Sequence, residues 1–381
     1  MKNPTRLNSL LAFAATMLLA LAAPAREFFV YFGTFATASS RGIYVSRLDA
    51  VTGKLSAPEL AVETPSPCFL AVASNEKVLY AANNNLVLNG QKTGAVSAFV
   101  IDKNSGRLQL LNQKSAGGPG TCHVSTDAAA SVLLAANYAD GSVKSFQLNG
   151  DGSIGADGSW IRHHGSSVNT NRQTAPHAHS IYADPSHRFA LACDLGTDKV
   201  VVYRLNSTSG TLAGNSSAVV PPGSGPRHLA FSPDGRFAHV INEMGCTVST
   251  FAWDSTAGNL APVETISALP PGVMAQPGFT GAEILLAGGH VYATIRGHDS
   301  ISVFVADAHT GRLKFLQTVP AGGKVPRGLG IDPTSRWLLV GDQNSDSVVE
   351  YSINPETGEL SPTGQALNIG SPVDVKFVEC N

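Results

Sequence analysis

A glycine-centred turn followed by an apolar residue recurs seven times along the chain, and this recurrence constrains the fold more than any other feature. The copies are Thr52-Gly53-Lys54-Leu55, Ser105-Gly106-Arg107-Leu108, Asp151-Gly152-Ser153-Ile154, Ser209-Gly210-Thr211-Leu212, Ala257-Gly258-Asn259-Leu260, Thr310-Gly311-Arg312-Leu313 and Thr357-Gly358-Glu359-Leu360. Successive turn glycines lie 53, 46, 58, 48, 53 and 47 residues apart. That period suits propeller-type units of ~40–50 residues better than any helical repeat.

A short run of β-branched residues ending in an aromatic precedes most of these turns, at 96–99, 143–146, 200–203, 248–251, 301–304 and 348–351. Such runs read as strands. Upstream lies a second pair of runs joined by a turn, as at Pro233-Asp234-Gly235, Asp184-Pro185-Ser186-His187 and Asp332-Pro333-Thr334-Ser335. Each unit therefore holds four strands, and no helical period of useful length follows residue 25. The expectation is an all-β, seven-bladed β-propeller of four-stranded antiparallel blades around a central channel. Residues 373–377 supply a lone first strand, while 28–55 supply strands but lack one, so the two termini are expected to complete one blade and remove an open sheet edge.

Composition narrows the function classes. With 26 Lys+Arg against 28 Asp+Glu the net charge is −2, which speaks against nucleic-acid binding, since a basic face is needed to replace phosphate counterions. Hydrophobic residues at 43% with only 14% charged exclude disorder. Lys2 and Arg6 precede an apolar run at 10–23, and Ala23-Pro24-Ala25 offers small residues for cleavage. Residues 1–25 are therefore expected to be a signal peptide, leaving 26–381 as the propeller, periplasmic or secreted. A retained N-terminal anchor is the alternative. No later run approaches the ~20 apolar residues of a membrane span, so no membrane association is expected after cleavage. Cys68, Cys122, Cys193, Cys246 and Cys380 are scattered without a C-x-x-C pair, which indicates neither a zinc nor a redox site. No metal, no cofactor and a monomer are the expectations.

Because the units repeat, their exceptions can be located by superposition, and function resides in exceptions rather than in the fold. A proline precedes the first strand of six units, followed immediately by Cys68, Gly120, His177, Arg227, Arg327 and Val373. At the end of the second strand, aligned positions hold Asn84, Tyr138, Leu195, Glu243, Arg296 and Gln343. A hairpin centred near Asp234 sets residue 227 opposite about 241, and one centred at 185–186 sets His179 opposite about Ala192, with His177 on the same face. If the innermost strands line the channel, His177, His179, Glu243 and the guanidiniums of Arg227, Arg296 and Arg327 converge at one mouth. Such a cluster binds anions and carries acid/base groups. Taken singly, each has a plainer reading. His177 and His179 form a metal-ligand pair only if a third ligand joins them, Arg227 and Glu243 make a structural salt bridge, and Arg296-Gly297-His298-Asp299 is a charged loop.

Pro176-His177-Ala178-His179-Ser180, Asp184-Pro185, Gly225-Pro226-Arg227-His228, Asn242-Glu243 and Arg296-Gly297-His298-Asp299-Ser300-Ile301 together resemble the lactonase family of seven-bladed propellers, which contains 6-phosphogluconolactonases and a carboxy-muconate cyclase. The resemblance spans 26–381. It implies that His179, Glu243, Arg227 and Arg296 are catalytic, with the arginines holding substrate anions and the histidine and glutamate serving as acid/base groups. His177, His228, His298, Arg327, Gln343 and Tyr138 complete the expected substrate-binding set, and the expected partner is a small-molecule lactone. The chain has no Gly-x-Ser-x-Gly elbow, which disfavours a serine hydrolase, and no evident cluster of acidic ligands like those of the calcium-dependent lactonases on six-bladed propellers. The alternatives are a muconate-type lactonizing cyclase or isomerase and a non-catalytic binding propeller.

Overall fold

The computed structural model describes residues 26–88 and 90–380, so the expected signal peptide lies outside the described residues. These residues form seven antiparallel four-stranded sheets, with helix confined to one 3-10 turn, Gln343–Ser345. Six sheets are meanders in chain order. The seventh joins the two ends of the chain, with Pro372–Glu379 pairing Glu27–Thr34, followed by Gly42–Asp49 and Glu59–Glu63. Its register runs from Phe28 opposite Glu379 to Thr34 opposite Pro372. The first strand of every blade packs against the first strands of both neighbours, so these seven strands form the innermost ring. The blade of the two termini is counted here as the first.

The recurring glycines answer two physical demands at once. All seven have positive φ, from 68° at Gly210 to 83° at Gly152, where a Cβ is strained. They also dock the preceding blade. A Cβ on Gly106, Gly258 or Gly311 would stand 2.6, 2.2 or 2.3 Å from the rings of Phe29, Phe189 and Phe237. The aromatics ending the third strands, Phe99, Phe146, Phe251 and Phe304, are buried and fill the spaces between neighbouring blades, Phe146 beside Tyr80 and Phe251 beside Phe189. Large rings suit this space because each buries much apolar area in a single side chain. The cysteines are free thiols, four buried and Cys380 less so, as small hydrophobic fillers would be.

The second strands end in a buried polar position. Asn83 donates to Pro65 O at 2.7 Å, Asn137 to Ala116 O at 2.9 Å and Asn242 to Ser249 Oγ at 2.9 Å. In the seventh blade the same place is held by Asp342, which pairs Ser347 as Asn137 pairs Ser142 and Asn242 pairs Thr247. Asp342 is fully buried, and neither carboxyl oxygen has a hydrogen-bond partner among the described residues. Burial, then the nearby Asp299, pushes its carboxyl up to about 8. A carboxyl raised on folding makes the native state bind the extra proton, so its contribution is fully present below the unfolded value and is lost as pH rises through about 8. Asp342→Asn supplies the side chain that the second, third and fifth blades hold there, as Asn83, Asn137 and Asn242. It is expected to raise the unfolding free energy by about 2–5 kcal/mol above pH ~9 and to change it little near pH ~4. Urea titrations at the two pH values check this, and an equal effect at both would contradict it.

Candidate functional site

Each innermost strand carries an irregularity at the same height. The pairing of first with second strand slips between Pro67 and Phe69, Thr121 and His123, Ala178 and Ser180, Pro226 and His228, Gly281 and Ile284, Pro326 and Gly328, and Pro372 and Asp374. The residues left over are Cys68, Cys122, His179, Arg227, the pair Ala282-Glu283, Arg327 and Val373. A bulge bends its strand and re-aims the extra side chain, and here seven-fold repetition aims seven bulges at one axis. The hairpin register also differs from the sequence expectation, because the turn centres one residue later, so that Ile181 faces Ala192 and His179 is left over between Ala178, opposite Asp194, and Ser180, opposite Cys193. His177 and Gly120 do not occupy the slot of Arg227. Their strands begin at Ala178 and Thr121, so Pro176 and Pro119 lie farther ahead in the loop and the slot falls to His179 and Cys122.

The second-strand landmark is regular because a backbone bond holds it. Glu243 N–H donates to Gly225 O at 2.7 Å, Tyr138 N–H to Gly120 O at 3.0 Å and Gln343 N–H to Val325 O at 3.0 Å. Bulge and landmark together surround a cavity of about 460 Å³ lined by Asn84, Cys122, Tyr138, Arg172, His179, Glu243, Arg296 and Arg327, among others. Arg227 lies directly behind it.

Glu243 is the centre of the cluster. Its Oε1 meets Arg172 Nη2 at 2.8 Å, and its Oε2 meets Arg296 Nη2 at 3.0 Å, Arg227 Nε at 3.2 Å and His179 Nε2 at 3.8 Å. Arg227 also donates to Ala282 O and Arg296 to Gly281 O, which aims both guanidiniums from behind. Burial alone would raise the Glu243 carboxyl, but Arg296, then Arg227 and Arg172, outweigh it and hold the group well below the usual carboxylate range. Burial, then Arg227, pushes the His179 imidazole well below its ordinary value, so it is neutral at pH 7. Burial, then Arg227 and Arg296, also lowers Arg327. Arg327 lies over the Phe35 ring at 5.1 Å and has no carboxylate partner among the described residues. Four guanidiniums thus face one carboxylate, and the excess positive charge sits where water screens it poorly. Chemically, such an arrangement can accept an anion.

The other sequence-derived residues are placed as follows. Tyr138 lines the cavity, and its hydroxyl accepts from Arg172 at 2.9 Å. His177 stacks on the far side of Tyr138, with centroids 4.5 Å apart and Nδ1 2.8 Å from Tyr138 O. His228 lies beneath the cavity, fully buried against Glu283. His298 pairs with Ser300 Oγ at 2.6 Å and abuts Phe279, and Gln343 sits in the 3-10 turn. Neither is part of the cavity wall. Sequence reasoning missed Arg172, which belongs to the long connection 163–177. The 58-residue glycine spacing was its only signal. With a side chain 41% exposed, against 3% for Arg227 and 12% for Arg296, Arg172 is the rim member of the set. Glu283 was missed as well, because its blade lacks the proline landmark.

The chain matches the family described as "Lactonase, 7-bladed beta-propeller" over residues 29–377. It is 35% identical over 348 residues to a 6-phosphogluconolactonase of Bacillus subtilis, covering 91% of this chain and 97% of the relative. To a 6-phosphogluconolactonase of Formosa agariphila it is 30% identical, with 86% and 92% covered. Among solved structures it resembles the periplasmic gluconolactonase of Pseudomonas aeruginosa with a TM-score of 0.86 and 31% identity, over 93% of this chain and all of that one.

A test of the electrostatics needs no knowledge of the ligand. Inorganic phosphate is expected to stabilise the protein relative to chloride at equal ionic strength, by about 2.7 kcal/mol at a hundred times its dissociation constant. Arg327→Ala should remove most of that gain. Identical thermal unfolding in the two salts would refute an anion site.

Proposed function

Because the chain belongs to the family of seven-bladed β-propeller lactonases, we propose that it hydrolyses an anionic or polyhydroxylated sugar lactone with His179 as general base. The observation that carries this assignment is the state of Glu243. Guanidiniums engage both of its oxygens, so it is a poor proton acceptor and serves as the counter-ion that holds Arg227 and Arg296 in place. His179, neutral and beside it in the cavity wall, is the group left to take a proton.

His179 removes a proton from water while the water oxygen bonds to the lactone carbonyl carbon and the carbonyl electron pair moves onto its oxygen. Arg296 and Arg327 stabilise the oxyanion, the role in which fixed positive groups contribute most. Collapse re-forms the carbonyl and breaks the ring carbon–oxygen bond. The departing oxygen takes the proton from the His179 imidazolium, and the product is the open-chain hydroxy acid. Burial, then Arg227, depresses the imidazole in the free protein. A substrate anion offsets that charge and brings the base toward the operating pH only when substrate is present. Arg172, on the rim, meets the polar or charged tail of the substrate.

The relatives' names make gluconolactone and its 6-phosphate the substrates to try. The basic, apolar, Ala-Pro-Ala order of residues 1–25 supports export, as does the likeness to a periplasmic gluconolactonase. An extracytoplasmic lactone suits that location.

Acid release followed by titration, with and without chelator, is expected to exceed spontaneous hydrolysis. Arg296→Ala should lose about 10²–10³-fold in kcat and His179→Gln about 10²–10⁴-fold. Activity no faster than the uncatalysed reaction, or untouched by either change, would end the proposal. Lactone formation from a muconate-type diacid would assign the same residues to the reverse chemistry.

A further inference from the structure

Beneath the cavity the channel is closed by three imidazoles from adjacent innermost strands, His123, His179 and His228. The His179 and His228 ring centroids are 5.1 Å apart and those of His123 and His228 5.3 Å. All three are buried. Each has one ring nitrogen without a hydrogen-bond partner among the described residues, namely His123 Nε2, His179 Nδ1 and His228 Nε2. On His228 and His123 the opposite nitrogen is committed. His228 Nδ1 lies 2.8 and 2.9 Å from the two carboxyl oxygens of Glu283, and Glu283 Oε1 also accepts Ile284 N–H at 3.1 Å. An oxygen pair sharing one ring nitrogen accepts from it, so His228 carries its proton on Nδ1 and a lone pair on Nε2. His123 Nδ1 accepts Ile181 N–H at 3.4 Å, which puts that ring's proton on Nε2. His179 Nε2 faces Glu243 and the cavity.

We propose that Glu283 and His228 are positioning residues for His179. Glu283 holds His228 in the Nδ1–H form, and His228 Nε2 takes the Nδ1–H of His179 through one bridging water. His179 Nε2 is thereby left as the lone pair turned to the substrate. The orienter of a general base works in this way, setting the tautomer and stabilising the imidazolium when it forms. The arrangement also separates two tasks. Glu283 lines the cavity at the opposite mouth with Tyr182 and Lys376, out of reach of the anion held above. A second carboxylate beside Glu243 would cancel the positive charge left for the substrate, whereas one across the channel tunes the base without doing so. The charged and titratable groups facing His179 are Arg227, His228, Glu243 and Arg327, with Tyr138 edge-on at 5.4 Å and the Cys122 thiol on its carbonyl. Those facing Glu283 are His228, Arg227, Lys376 and Arg327, together with Tyr182 and with Asp374, itself paired to Lys376 at 2.6 Å.

The kinetic part rests on His179 as the base of the proposed hydrolysis, but the tautomer can be read without activity. In the full chain labelled with 15N-histidine, ring-nitrogen correlation spectra are expected to show His179 and His228 both as Nδ1–H. The His179 signal is identified by its loss in His179→Gln. In Glu283→Gln the His179 signal should shift or become a tautomer mixture. With gluconolactone, Glu283→Gln should lower kcat about 10–100-fold and leave KM within about 3-fold, since Glu283 does not touch substrate. The acid limb of the kcat profile should move to lower pH, because a negative charge that favours the imidazolium is gone. Glu283→Asp should restore the limb. His179 protonated on Nε2 in the unaltered protein would overturn the proposal, as would a Glu283→Gln variant whose kcat and KM change together with an unmoved acid limb. If no lactone is hydrolysed, the tautomer measurement still decides the positioning claim, and the two failures stay distinct.

Discussion

Strand Glu27–Thr34 lies between Pro372–Glu379 and Gly42–Asp49, and everything in the molecule that concerns chemistry depends on that placement. It makes the last strand of the chain the first strand of a blade and closes the innermost ring. Only a closed ring brings Tyr138, His179, Arg227, Glu243, Arg296 and Arg327, from five successive blades, around one mouth. Closure also packs the seven inner sheet edges against one another around the channel, the usual advantage of radial repetition.

The electrostatics of the mouth follow from crowding. Arg227 and Arg296 are fixed by backbone carbonyls and share one carboxylate oxygen of Glu243. Removing a buried carboxylate from such a cluster would leave like charges uncompensated, which is far more costly than losing a surface pair. Glu243 is therefore a counter-ion to these guanidiniums, and in the proposed hydrolysis this leaves the neighbouring imidazole to move the proton. Arg327, with only an aromatic face beneath it, is the cation most available to an incoming anion.

Much of the fold was legible because its defining positions have local causes. A turn needing positive φ and a close approach from the preceding blade accepts only glycine, so Gly53 to Gly358 mark the period directly. The landmark at the end of the second strand transferred between blades because a backbone hydrogen bond fixes it, as at Glu243 and Tyr138. The proline landmark transferred less well. The loop between proline and strand varies in length, so His177 and Gly120 were aligned where His179 and Cys122 stand. Arg172 was hidden for a related reason. An insertion shows in the spacing, but which side chain of a 15-residue connection reaches Glu243 depends on how that connection folds over the rim.

Local rules written in the chain thus determined the strands, the seven-fold count, the meeting of the termini and the residue types able to bind an anion and move a proton. Tertiary structure alone decided the bulges at His179, Arg227 and Arg327, the engagement of Glu243 by three guanidiniums, and the contact of His228 with Glu283. A bulge in these strands is one unpaired residue with no compositional mark, and the ion pairs that Glu243 makes with arginines of other segments join positions 53 to 71 residues apart. Their distances are set by ring geometry and not by any neighbour along the chain.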